Sequence, residues 1–452
     1  MKSIISYEGN KLILPKIQCN CGINHTYPDM DIYIGQGLIH NIGKYLQARN
    51  LGKNIVLVTD NIIYDIAAKS VITILEQAGY HVDLCLLERE NQLIPNETAL
   101  GEVLITLNNS TDFLVGVGSG SITDLTRYAA HLSGKPFVVI GTAPSMDGYT
   151  SVVAPLTYGN LKVNKPAGYP QILVCDLDIF RRAPYKMLLS GFGDVIGKYI
   201  AKADWILGNI VNDEPICPMC IEMTTWAVQR CMDNISGIKK RSIEGVRGLI
   251  EGLIIAGITI LIVGHTRPVA SNEHSMAHYW EMMKLLAGEK PPRHGLSVGS
   301  ATIYALKFFE LFFQTDLTKV SIEQAKKANI SKEEREELIL AKYGSKIGRA
   351  IIRDNGDDYL TWSEQERRFN KLVANQDLIR RKLSFLPSAS EMISIYAELD
   401  YPWPAEKLGI DDQLLLNSLL YAKEYRSRYT VFKSANEIGI LPDLVGQVLQ
   451  QL

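Results

Sequence analysis

Cysteine is scarce in this chain. Seven cysteines are spread over 452 residues, an odd number too thinly placed for a disulfide framework. No charge of one sign dominates: the formal net charge is −2, which argues against a general polyanion binder and so against nucleic acid. A local basic pocket for a small phosphate stays open. Internal repeats and low-complexity segments are absent. The start, MKSIISYEGNKLILPKI, lacks an apolar stretch ending in small residues, so no secretory signal is expected. Long apolar runs are missing too. GLIIAGITILIVG, at 252–264, is well short of the roughly 18–20 residues of a membrane span and reads as a buried core helix. These absences predict a soluble, cytoplasmic protein without a membrane span. What is there is ordinary globular composition, 46% hydrophobic and 21% charged, in a chain long enough for two or three domains.

Between residues 30 and 185, short β-branched runs alternate with helical stretches. KNIVLVTD, HVDLCLL, DFLVGVG and KPFVVIG read as strands, and the segments between them as helices. Such alternation predicts βαβ units and a mostly parallel sheet. From about 186 the strand signals fade and helical periodicity takes over. MLLSGFGDVIGKYIAKADWIL, EGVRGLIEGLIIAGITILIV and SNEHSMAHYWEMMKLLAG carry it. The expected architecture is an α/β dinucleotide-binding domain over 1–185 and an all-helical metal-binding domain over 186–452. The expected active site is the cleft between them.

Two stretches of the first half carry ligand-binding chemistry. Gly116-Val117-Gly118-Ser119-Gly120-Ser121-Ile122-Thr123-Asp124 leaves a strand and opens a helix. Glycines there admit a phosphate close to the backbone, and the helix start offers free N–H groups and a positive dipole end. The G-x-G-x-G spacing is not the usual dinucleotide fingerprint. A tight turn capped by Ser121 or Thr123 would look the same. The second stretch, Gly141-Thr142-Ala143-Pro144-Ser145-Met146-Asp147-Gly148-Tyr149, follows another strand, where open α/β sheets bind ligands; an ordinary Pro/Asp/Gly turn would look similar.

The second half holds candidate metal ligands. His265, His274, His278 and His294 account for four of the eight histidines. His274 and His278 are four apart, so both rings lie on one helix face. The zinc-protease pattern would need Glu after the first His, but Ser275 follows His274. Asp194, in GFGDVIGK, suits either a helix cap or a metal ligand. Two cysteine clusters, Cys19-x-Cys21-x3-His25 and Cys217-x-x-Cys220, read as ordinary thiols or turn residues, since a lone pair is a weak metal signal.

GVGSGSITDLTRYAA, TAPSMDGYTS, GFGDVIGK, SNEHSMAHYWE and RHGLSVG occur in order, and the chain so resembles the sn-glycerol-1-phosphate dehydrogenases, especially their bacterial branch. These belong to the iron-containing alcohol dehydrogenase and dehydroquinate synthase superfamily. CNCGINHTYP and YRSRYTVFKSANEIGIL extend the likeness to nearly the whole chain. The resemblance implies an N-terminal Rossmann-like domain, an all-α metal-binding domain, and reduction of dihydroxyacetone phosphate to sn-glycerol 1-phosphate by NADH or NADPH. It implies one divalent metal, zinc, nickel or iron, on Asp194, His274 and His294. His278, Asp147 and Asp194 correspond to substrate contacts. Gly118, Gly120, Ser121, Ile122, Thr123, Asp124, Thr142, Ser145 and Ser151 correspond to cofactor contacts, and Asp60 to one on the adenosine side. A homodimer is implied as well.

By this reading His278 titrates near neutral pH and returns the proton, with a water relay as an equal alternative. Arg267, Lys198 and Arg293 stand beside the motifs as possible phosphate ligands or as surface charges. Arg127 replaces a frequent Lys, and Gly141 a frequent Pro. The competing readings are a glycerol or other alcohol dehydrogenase of the same superfamily, a dehydroquinate-synthase-like lyase, and a non-catalytic metal-binding or regulatory protein that has kept the fold, against which the intact ligands and glycine turn argue. The lyase branch resembles this chain in architecture but typically has Glu at the position of Asp194 and lacks TAPSMDGY.

Overall fold

The computed structural model describes residues 4–17, 19–22, 25–90, 92–159, 161–356 and 359–452. Contacts divide the chain into two compact units. One comprises Met1–Val195 with Glu222–His265, the other Ile196–Ile221 with Thr266–Leu452. This is not the single boundary expected near 185. The helix Ile243–Val263 belongs to the first unit. Its apolar surface runs nearly all round, so it must be covered on every side rather than along one stripe.

The first unit is built on an eight-stranded sheet. Its strands are β1 (Ser6–Glu8), β2 (Lys11–Ile13), β3 (Asp31–Gly35), β4 (Asn54–Asp60), β5 (His81–Leu87), β6 (Phe113–Gly118), β7 (Phe137–Gly141) and β10 (Ile172–Asp176). Their order is β1-β2-β3-β10-β7-β6-β4-β5. From β3 to β5 all pairings are parallel; β1, β2 and β3 pair antiparallel at one edge. β8 (Val153–Tyr158) and β9 (Leu161–Pro166) form a separate hairpin. β6, β7 and β10 are buried along their whole length, as expected of parallel strands covered on both faces. That is why β4, β6 and β7 stand out in the sequence as Val/Ile/Leu runs. β3, β10 and both hairpins were not anticipated. At three to six residues each, they give too little periodicity to detect.

The chain leaves β4 towards β5 on one side, then returns to lay β6 on the other. The sheet therefore changes direction between β4 and β6. The carboxyl ends of two such strands open a crevice, the usual ligand position in this architecture. Asp60 ends β4 and the glycine turn follows β6, so both lie at this switch point.

The described residues of the second unit hold no strand. Among its helices, Asn272–Leu286 carries His274 and His278, and His294–Gln314 begins with His294. Two helices, Ile243–Val263 and His294–Gln314, are long and apolar enough to cross a membrane by length and composition, and each is 83% buried over its most apolar window. The uninterrupted apolar runs within both are shorter than the helices, because small and polar residues punctuate them without ending the helix.

Candidate metal and cofactor site

The glycine turn is shaped first by packing. A Cβ on Gly118 would meet Ile122 Cβ at 2.5 Å, and one on Gly116 would meet Thr126 Oγ1 at 2.7 Å. These two glycines let the helix Gly120–Ser133 lie against β6. Gly120 has room for a methyl group, with Met146 3.5 Å away. The capping alternative does not hold. Ser119 is the N-cap and its side chain caps nothing. Ser121 donates instead to the Leu93 carbonyl at 3.0 Å, and Thr123 to the Ser119 carbonyl at 2.9 Å. A helix start at the switch point, capped by no side chain, is suited to an anion.

The other cofactor candidates lie around this point. Asp60 accepts from Ile62 and Ile63 N–H, both on Oδ1, and its Oδ2 has no hydrogen-bond donor among the described residues. Thr142 is buried, its N–H donates to the Gly118 carbonyl at 3.1 Å, and its Oγ1 has no hydrogen-bond partner among the described residues. Ser145 N–H donates to Ala143, and the Ser151 hydroxyl is turned onto Val153. Asp124 is committed to an ion pair with Arg127 at 2.7 Å.

Arg127 is more than a variant of a frequent Lys. It is fully buried, and besides Asp124 it donates to the carbonyls of Gly148 at 2.5 Å and Tyr149 at 3.0 Å. It thereby ties the glycine-turn helix to the TAPSMDGYT loop. Two glycines press on that loop from other helices. A Cβ on Gly191 would stand 1.9 Å from the Pro144 oxygen, and one on Gly257 would stand 2.3 Å from the Asp147 oxygen. The loop in turn meets Asp194. Asp147 N–H donates to Asp194 Oδ2 at 2.9 Å, and Asp194 is only 1% exposed. Asp194 is the tenth of twelve residues in the helix Tyr185–Ile196, which rules out the N-cap reading. We expect Gly191→Ala to push the loop off Asp194. Overpacking of this kind destabilises by about 1–3 kcal/mol. Thermal denaturation should show that loss, and kcat/KM should fall by more than the loss of folded protein explains.

In the second unit three imidazoles converge. The His274 and His294 ring centroids are 5.3 Å apart, and His278 stacks on His294 at 4.9 Å. His274 Nδ1 lies 2.6 Å from Glu273 Oε1, and His294 Nδ1 lies 2.8 Å from Glu281 Oε1. A carboxylate only accepts, so each Nδ1 carries the proton and each Nε2 keeps its lone pair. Histidines that bind metals commonly have their other ring N–H held by a carboxylate in this way. Both glutamates are almost wholly buried, at 0% and 2% exposure. His278 differs: its Nδ1 is 3.8 Å from Glu281, too long for a hydrogen bond, and has no hydrogen-bond partner among the described residues. Burial pushes its pKa down to about 4, so the expected titration near neutral pH is replaced by a neutral imidazole. It also faces Tyr425 at 5.3 Å.

The sequence alone does not point to Glu273 and Glu281, because the zinc-protease spacing places its carboxylate after the first His and not directly before it. Their one signal was the spacing in NEHSMAHYWE. Glu273→Gln should keep the fold but weaken metal binding by about 10–100-fold, the usual effect of removing such a partner. Competition with a chromogenic chelator would measure it. Arg267 is neither a surface charge nor available to a phosphate. It is 2% exposed and pairs with Glu214 through two nitrogens, at 2.8 and 2.9 Å. It also donates to Ser271 and to the carbonyls of Asp204 and Tyr429. Lys198 is buried too, and burial lowers the pKa of the half-buried Arg293.

Comparison with known proteins gives the class first. A family model described as iron-containing alcohol dehydrogenase matches residues 33–184. Solved structures share the fold over nearly the whole chain. Glycerol dehydrogenase from Schizosaccharomyces pombe aligns with a TM-score of 0.58 at 16% identity, covering 95% of this chain and 92% of that one. The sequence relatives are narrower in name. Glycerol-1-phosphate dehydrogenase (NAD(P)+) of Halalkalibacterium halodurans is 38% identical over 63% of this chain and 72% of its own length. The protein of that name from Bacillus licheniformis is 28% identical over 99% of this chain and 98% of its own. The chain belongs to the glycerol-1-phosphate dehydrogenase family.

Proposed function

We propose that this protein is an oxidoreductase that uses NADH or NADPH and one divalent metal to reduce dihydroxyacetone phosphate to sn-glycerol 1-phosphate, reversibly. The observation that carries the reading is the His274 and His294 pair, each with its proton held on Nδ1 by a buried glutamate and its Nε2 lone pair left to a metal. We assign Asp194 as the third ligand, supported by the family resemblance and by its burial beside Asp147. This donor set suits zinc, nickel or iron, so supply decides among them.

When bound, the metal supplies Lewis acidity towards a ketone oxygen and the reduced nicotinamide supplies hydride. The chain's residues do the rest. Glu273 and Glu281 hold the two imidazoles in orientation. The start of the helix Gly120–Ser133 takes the cofactor's pyrophosphate, with Gly118, Gly120, Ser121, Ile122, Thr123, Asp124, Thr142, Ser145 and Ser151 around it. Asp60 takes the adenosine ribose, which favours NAD without barring NADP. Asp147 and His278 contact the substrate. His278, being neutral, orients the substrate by hydrogen bonding, and the proton reaches the product through water. Arg293, beside His294, is our choice for the substrate phosphate. The thin cysteine usage supports a cytoplasmic setting, and the family resemblance supports a homodimer.

The test is NADH oxidation by metal-stripped protein reloaded with zinc or nickel. Dihydroxyacetone phosphate should be reduced only after reloading, and far faster than free dihydroxyacetone. Equal turnover of the two ketones would show that the phosphate is not recognised and would overturn the reading.

A further inference from the structure

The loop between β2 and β3 gathers a second set of soft ligands. The donor atoms of Cys19, Cys21 and His25 all lie within 4.8 Å of one another. Cys21 Sγ is 3.0 Å from His25 Nε2, and His25 Nδ1 is 2.9 Å from the Ile262 carbonyl. A carbonyl only accepts, so Nδ1 carries the proton and Nε2 presents a lone pair to the two sulfurs. His25 is buried, at 8% exposure, and both cysteines are half-buried. The described residues of this loop form no helix or strand, so regular backbone hydrogen bonding does not explain why the three side chains converge.

We propose that Cys19, Cys21 and His25 form a second metal site, selective for zinc, that clamps this loop. The chemistry is that of structural zinc: thiolates and an imidazole whose other nitrogen donates to a backbone carbonyl. Bonds of about 2.3 Å to sulfur and 2.1 Å to nitrogen place neighbouring ligands of a tetrahedral zinc roughly 3.6 Å apart. The Cys21–His25 pair thus needs to open by only about 0.6 Å. The remaining coordination position is completed by a further thiolate or by water. Both thiols lose their protons to solvent on binding, so affinity rises with pH. Because His25 also holds Ile262, near the end of the helix Ile243–Val263, the metal fastens the loop to that helix within the first unit. The site has no carboxylate and requires no nicotinamide, so it is separate in chemistry from the Asp194, His274 and His294 set.

The experiment is cobalt substitution of the full-length protein, with metal content measured by elemental analysis. We expect a thiolate-to-cobalt charge-transfer band in the near ultraviolet, which an aspartate and two histidines cannot produce. The band should persist in His274→Ala and vanish in Cys21→Ser, with metal falling from two ions per chain to one in either variant. Should Cys21→Ser not fold, a mercurial titration of the unmutated zinc-loaded protein replaces it, with release of one zinc as the thiols react. Absence of the thiolate band from the unmutated protein, or mercurial modification without zinc release, would overturn the site. Either result leaves the catalytic reading untouched, because that reading is tested by His274→Ala and by substrate turnover.

Discussion

His274→Ala is expected to remove metal and activity together, and His278→Ala to lose activity yet keep the metal of the proposed Asp194, His274 and His294 set. This is the largest expected effect, and it divides the labour between two histidines one helical turn apart. His274 has the geometry of a ligand, its Nδ1 held at 2.6 Å by Glu273. His278 has no such anchor, and burial keeps it neutral. A metal's Lewis acidity is worth several kcal/mol of transition-state stabilisation, so activity in His274→Ala should fall by on the order of 10³-fold or more. Elemental analysis beside the NADH assay makes the distinction. His278, Glu281 and His294 also bring their donor atoms within 4.8 Å of one another. Metal loss in His278→Ala but not in His274→Ala would move the ligand set to that trio, and equal metal loss in both variants would also sink the assignment of His278 to substrate.

Arg127→Met is the second. Arg127 is fully buried and holds Asp124, Gly148 and Tyr149 together. Removing one partner of a buried ion pair leaves the other charge uncompensated and costs about 3–5 kcal/mol. The variant should denature at clearly lower temperature. Cofactor affinity of the surviving folded protein should also fall, because the helix start and the TAPSMDGYT loop lose their tie. Arg127→Lys keeps the charge but not the planar fork, so it should lie between the two in both measurements. Unchanged nicotinamide binding in folded Arg127→Met would reduce Arg127 to a purely stabilising role.

Much of this was legible beforehand, for identifiable reasons. β4, β6 and β7 are buried on both faces, so they are written as apolar runs bounded by glycine and proline. The histidines showed themselves by spacing, because a helix repeats a face every three to four residues. Other features were hidden for equally physical reasons. Glu273 directly precedes His274, and neighbours in a helix do not generally share a face; their contact depends on the bend of two side chains. Arg127 stood out only as a replacement for a frequent Lys and Arg267 as a surface charge or phosphate ligand, but the backbone carbonyls they bind lie 21 to 162 residues away. Cys19, Cys21 and His25 looked like incidental thiols in a turn, since no periodicity marks an irregular loop.

What the sequence determined by itself was local and periodic: which runs become parallel strands, where the glycines admit a helix against a strand, and which residue types can hold a metal. Packing decided the rest. Tertiary structure chose which carboxylate orients each imidazole, turned two arginines into buried clamps, and returned the helix Ile243–Val263 to the first unit. The reason is that periodicity specifies the face a side chain occupies, while the atom it meets there depends on which distant segment is folded against that face.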